Sequence, residues 1–168
     1  MKILITGASK GIGYQIAKDL AKKGYTLVLH CNSSPDLLTK FIKENKNVNH
    51  TVQADLSSQK GAMDLFKKTC KLIGFPDAII NNAGIAESSP IEKEIIEWSL
   101  EFDKTISVNL KSPAIIAKEF ILKKRKENLS SRLRIINIAS RAAFRGEVED
   151  FISYACSKGG LVSLTKTI

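Results

Sequence analysis

Short aliphatic runs alternate with stretches in which apolar positions recur every three or four residues. Lys2–Thr6 is the first run, and a glycine-rich turn leads from it into a helical pattern from about Ile12 to Lys23, which Gly24 can cap. Tyr25–His30 predicts a second strand, and Pro35 to about Glu44 a second helix with proline in its first turn. Val48–Gln53 reads as strand, Ser57 to about Leu72 as helix, and Ala78–Asn81 as a short buried strand. Two longer helices follow, roughly Glu94–Leu110 and Pro113–Glu127. After them come a strand over Leu133–Ala139, a loop, and a helix from about Ser153 to Ile168.

Runs such as Ile3-Leu4-Ile5 and Ala78-Ile79-Ile80 offer apolar side chains to both faces of a sheet. That pattern belongs to parallel strands covered by helices on both sides. Right-handed crossovers then give an α/β fold, doubly wound and Rossmann-like, whose ligands sit at the carboxyl ends of the strands. With 168 residues and no linker, repeat or low-complexity tract, residues 1–168 are expected to form one domain.

Composition narrows the function classes. Hydrophobic residues make up 43% and charged residues 26%, as in ordinary globular proteins. No apolar run approaches a membrane span, and Met1–Gly7 is too short and too soon interrupted to be a signal peptide. Cys31, Cys70 and Cys156 are odd in number and far apart, which predicts a reduced, cytoplasmic protein without structural zinc or another metal site. The net charge of +9 raises nucleic-acid binding as an option. Its basic pairs and run, Lys22-Lys23, Lys67-Lys68 and Lys123–Lys126, fall toward helix ends, where cations complement the dipole, and no aromatics interleave with them. The expectation is an anionic small ligand instead of a nucleic acid.

The turn Thr6-Gly7-Ala8-Ser9-Lys10-Gly11-Ile12-Gly13 joins the first strand to the first helix with G-x-x-x-G-x-G spacing. Glycines there permit a tight turn and a close backbone approach, and the helix start offers free N–H groups to a pyrophosphate. The second strand ends Leu29-His30-Cys31-Asn32-Ser33-Ser34, with no acid to hold a ribose 2′-hydroxyl. Lys10 adds charge, and Asn32, Ser33 and Ser34 add hydrogen-bonding groups, so NADP(H) is favoured over NAD(H). His30 is read as structural or solvated, with a contribution to the cofactor left open. Tyr154 and Lys158 lie four apart in Ser153-Tyr154-Ala155-Cys156-Ser157-Lys158, one turn apart on one helix face. A cation so placed favours phenolate over phenol and suits the tyrosine to proton transfer.

Taken in order, these features resemble the short-chain dehydrogenase/reductase family, and its 3-oxoacyl-carrier-protein reductase-like branch in particular. The matching features are the Thr6–Gly13 turn, Asn81-Asn82-Ala83-Gly84, Ser140 after the next strand, and Tyr154-x-x-x-Lys158; Asn109 and Asp55 look like the family's helix asparagine and adenine-contacting acid. The resemblance implies that Ser140 hydrogen-bonds the substrate oxygen, Tyr154 exchanges its proton, Lys158 tunes Tyr154 and binds the nicotinamide ribose, and Asn109 holds a water. Gly7, Ser9, Lys10, Gly11, Ile12, Gly13, Asp55, Leu56, Asn82, Ala83 and Gly84 would line the cofactor. Each residue also has a plainer reading: Asn81–Gly84 as a turn, Ser140 as a cap, Asn109 as a helix-end residue, Asp55 as an N-cap.

The resemblance implies NADPH-dependent reduction of a carbonyl, a 3-oxoacyl thioester or similar ketone free or bound to a carrier protein, in fatty acid biosynthesis. Alternatives are an NAD-dependent alcohol dehydrogenase and a non-catalytic nucleotide-binding fragment. Two departures stand out. Thirteen residues separate Ser140 from Tyr154, one more than the commonest spacing, and Arg141–Asp150 is unusually charged for a substrate-side loop. Family members also usually continue beyond this length, so the expectation is a C-terminally truncated domain with an exposed edge strand, and a homotetramer when full length.

Overall fold

The computed structural model describes residues 1–33, 35–45, 49–129 and 133–168. Ser34, read above as a cofactor-edge residue, and Val48, read as a strand start, lie outside the described residues. Five strands, β1 (Lys2–Ile5), β2 (Thr26–Cys31), β3 (Asn49–Gln53), β4 (Ala78–Asn81) and β5 (Arg134–Asn137), form one sheet in the order β3-β2-β1-β4-β5. All four pairings are parallel, with Leu4 opposite both Val28 and Ile79. The doubly wound α/β reading therefore holds.

Period-two alternation divides the core. Ile3, Ile5, Leu27, Leu29 and Ile80 face one side, where they pack with Ala17 and Ala21 of α1 (Gly11–Lys22) and Leu38 and Phe41 of α2 (Pro35–Glu44). Leu4, Val28, Val52 and Ile79 face the other, against Leu65 and Phe66 of α3 (Gln59–Ile73) and Ile116 and Phe120 of α5 (Ser112–Lys126). Gly24, at φ 75°, ends α1 by donating its N–H to Ala21. Leu56 is buried in the second core, so of the residues expected along the cofactor it offers only its main chain.

Two elements differ from the sequence reading. The helices expected on either side of Pro113 are one rod: α4 (Ile95–Ile106) runs through a π-helical turn at Ser107–Lys111 directly into α5. In an α-helix the proline ring would meet the carbonyl of Asn109, four residues back. The wider turn, in which Ser112 donates to the carbonyl of Ser107, absorbs that conflict without breaking the rod. The charged loop after β5 contains a one-turn helix, α6 (Ala142–Arg145), and a 3₁₀ turn at Glu149–Phe151, before α7 (Ile152–Thr167). α7 packs on α4, the π turn and β5. β5 is a sheet edge, as expected, with Ile136 44% exposed. No helix among the described residues is long and apolar enough to cross a membrane.

Candidate active site

The sheet reverses its winding between β1 and β4, and their carboxyl ends open the crevice in which such folds bind ligands. Thr6, buried at the end of β1, is the pivot: its hydroxyl oxygen accepts the N–H groups of Asn82 (3.0 Å) and Ala83 (2.9 Å). The amide of Asn82 donates to the carbonyls of Thr6 (3.0 Å) and Gly7 (2.9 Å), tying the first turn to the fourth strand. Gly7 has φ 62°, and a Cβ on it would lie 2.8 Å from the Cα of Ala83. A Cβ on Gly13 would overlap the carbonyl of Gly7 and the amide of Asn82. Around Gly11, by contrast, a Cβ would meet nothing within 4 Å, and Ile12 is exposed. The start of α1 is thus an open cradle whose N–H groups have no helical acceptor, and a pyrophosphate fits it.

Two further strand ends extend the cradle. Asn32 and Ser33, after β2, are exposed, as is Lys10 before α1; no carboxylate lies among them. Asp55, after β3, is exposed, and its carboxyl is held below the usual range by the hydroxyl (2.7 Å) and N–H (2.9 Å) of Ser57. It does not cap α3: that role falls to Ser58, whose hydroxyl accepts from the N–H of Gly61.

Around α7 lie Tyr154, Lys158 and, through Ser157, Asn109. Lys158 is 5% exposed; its ammonium donates to the carbonyl of Ile138 at 2.9 Å and stands 5.8 Å from the centre of the Tyr154 ring. Burial pushes its pKa below the ordinary lysine value. Asn109 is fully buried in the π turn, and its side chain both accepts from the N–H and donates to the carbonyl of Ile85, each at 2.8 Å. Its second amide hydrogen goes to Ser157 (3.0 Å), which donates in turn to the carbonyl of Tyr154 (2.7 Å). A Cβ on Gly84 would lie 3.3 Å from Asn109 Oδ1 and 3.5 Å from Lys158 Nζ, which places the Asn81–Gly84 segment over both. Ser140 is half-buried and its hydroxyl accepts from the N–H of Ala142 (3.2 Å). That bond closes a turn just ahead of α6, whose N-cap position is Arg141, and leaves the hydroxyl its own proton to donate.

Within the Asn-Asn pair only Asn82 serves the crevice. Asn81 is a cross-strand residue, donating to Asn137 at 2.8 Å. Ser157 and Thr6 carry bonds that the sequence reading did not assign to them. Ser157, three residues after Tyr154 and next to Lys158, shares their helix side, and that spacing was the available signal. Among the described residues no group of His, Cys, Asp and Glu could hold a metal ion.

Residues 1–168 match the family model for short chain dehydrogenase. The chain is 34% identical over 169 residues to a 3-oxoacyl-(acyl-carrier-protein) reductase of Rickettsia conorii, covering 98% of this chain and 64% of that protein. It is 32% identical over 171 residues to an NADPH-dependent pterin aldehyde reductase of Arabidopsis thaliana, covering 99% and 66%. Among solved structures it is similar to 4-hydroxyisoleucine dehydrogenase complexed with NADH, at TM-score 0.86 and 30% identity, covering 99% and 65%. The chain spans less than two thirds of the length of each.

Proposed function

Because the chain belongs to the short chain dehydrogenase family, we propose that it is an NADPH-dependent oxidoreductase that reduces a carbonyl to a secondary alcohol, with a 3-oxoacyl thioester as the substrate class. The observation that carries the reading is the buried ammonium of Lys158 beside the ring of Tyr154, at the carboxyl end of β5. A buried ammonium 5.8 Å from the ring centre, one helical turn from the phenol on the same helix face, places a cation beside the group that would trade the proton, and so suits Tyr154 to act as general acid and base. Ser140 donates its hydroxyl proton to the substrate oxygen. The nicotinamide, when bound, supplies the hydride.

The amide hydrogens of Asn109 are both spent on Ile85 and Ser157. The water would then be held by its main chain in the widened turn instead of by its side chain. That water would feed protons through Lys158 to Tyr154. Gly7, Ser9, Lys10, Gly11, Ile12 and Gly13 hold the pyrophosphate side of the cofactor. Asp55 and the main chain of Leu56 hold the adenine, and Asn82, Ala83 and Gly84 the ribose beyond. Lys10, Asn32 and Ser33, with no acid at the end of β2 itself, favour a 2′-phosphate. The relative named a 3-oxoacyl-(acyl-carrier-protein) reductase supports the substrate class. Exposed Ile95, Ile96 and Leu100 on α4 support a homo-oligomer.

An NAD-dependent dehydrogenase is the second reading, favoured by the NADH complex of the similar structure. Titrating the protein with NADPH and NADH decides between them, and tighter NADH binding overturns the first. Assaying a 3-oxoacyl thioester with wild type and Tyr154→Phe tests the chemistry. Undiminished turnover by the variant removes Tyr154 from it.

A further inference from the structure

His30 is 2% exposed at the end of β2, outside the set of residues given a role in chemistry or cofactor contact. Its ring is not idle. Nδ1 lies 3.1 Å from the N–H of Gly7, and Nε2 lies 2.9 Å from the carbonyl of Ala54. A backbone N–H can only donate, so Nδ1 must be unprotonated and accept. Nε2 therefore carries the proton and donates it to Ala54, which fixes one neutral tautomer. The two partners matter more than the ring. Gly7 opens the pyrophosphate cradle, and Ala54 immediately precedes Asp55 on the adenine side. Main-chain bonds run alongside, from Ala8 N–H to the carbonyl of His30 (2.8 Å) and from Ala54 N–H to that of Cys31 (3.1 Å).

We infer that His30 is a positioning residue for the dinucleotide: a rigid strut that sets the spacing and orientation of the pyrophosphate turn relative to the adenine edge. The inference rests on the dinucleotide reading of the crevice. An aliphatic side chain at this position would fill the space but leave the half-buried Gly7 N–H and Ala54 carbonyl without their ring partner. The turn would then be free to relax away from the geometry that a pyrophosphate needs. Asparagine and glutamine separate the two ends. The Oδ1 of asparagine sits where Nδ1 sits and can accept from Gly7, whereas the Nε2 of glutamine reaches toward Ala54 and abandons Gly7.

The test measures NADPH dissociation constants by cofactor fluorescence for wild type, His30→Leu, His30→Asn and His30→Gln, with the thermal midpoint of each cofactor-free protein recorded alongside. Ring ¹⁵N shifts of wild type report the tautomer. The expected result is an Nε2–H ring, with binding weakened about tenfold or more in His30→Leu, His30→Asn and His30→Gln, since each amide keeps only one end of the link. Wild-type affinity in either the asparagine or the glutamine variant, or an Nδ1–H ring, overturns the strut; this comparison stands even if the leucine variant does not fold. Failure of wild type itself to bind any nicotinamide dinucleotide overturns the dinucleotide reading and the strut together. Normal wild-type binding with an unaffected His30→Leu overturns the strut alone.

Discussion

The side-chain amide of Asn109 donates to the hydroxyl of Ser157 across 3.0 Å, and through that bond the π turn steadies the helix bearing Tyr154 and Lys158. Asn109→Leu keeps the volume but strips partners from Ile85 and Ser157, at a cost of about 2–4 kcal/mol. Ser157→Ala leaves one amide hydrogen unmet, at about 1 kcal/mol. Denaturant unfolding of the two variants checks the order, and an equal cost would remove Asn109 as the hub.

Gly13→Ala and Gly11→Ala are expected to separate sharply. At Gly11 the added methyl meets open space, and the penalty is the left-handed backbone at φ 57°, about 1–2 kcal/mol. At Gly13 it runs into Gly7 and Asn82, so the turn itself must move. NADPH affinity should fall by at least about tenfold in Gly13→Ala, roughly 1.4 kcal/mol. Matching cofactor titrations of both variants read this directly.

Lys158 gives a pH signature. Its folded pKa lies below the unfolded value of 10.5 because of burial, so between the two the unfolded chain binds the extra proton. Stability from this residue therefore improves as pH rises through the folded pKa toward 10.5. The wild type should gain on Lys158→Met over that window, while turnover of the variant falls roughly 10²-fold or more. Unfolding midpoints from neutral to alkaline pH provide the check, and parallel curves would contradict it.

His30 acts in the same direction at lower pH. Burial, only partly offset by the bond to Ala54, pushes its pKa below 6.5. Its contribution is intact above about 6.5 and is lost as pH falls toward the folded value, because the unfolded imidazole takes up the proton first. His30→Asn should flatten this part of the stability curve.

The sheet was legible because its strands are apolar on both faces, a pattern few other arrangements tolerate. The glycine turn and the Tyr154/Lys158 pair were legible because each depends on local spacing along one element. Contacts between elements were harder to read. His30 looks like any lone strand-end histidine until β1 and β3 are set beside it, and Thr6 looks like the last residue of a strand. Leu56 carries no local mark that its side chain turns into the core. Pro113 misled in the opposite sense: proline commonly marks a helix boundary, yet one added residue in the preceding turn kept the rod continuous.

That added residue has a rotational consequence. Each residue of an α-helix advances the side-chain direction by about 100°, so the widened turn resets the phase of everything on either side of it. One rod can then aim its first half, α4, at α7 and its second half, α5, at α3, two targets that a uniform helix would have to serve with a single stripe. Asn109 sits where the phase slips, which is how one side chain reaches Ile85 and Ser157 together. Deleting one residue from Ser107–Lys111 would restore ordinary winding and turn Asn109 away from one or both.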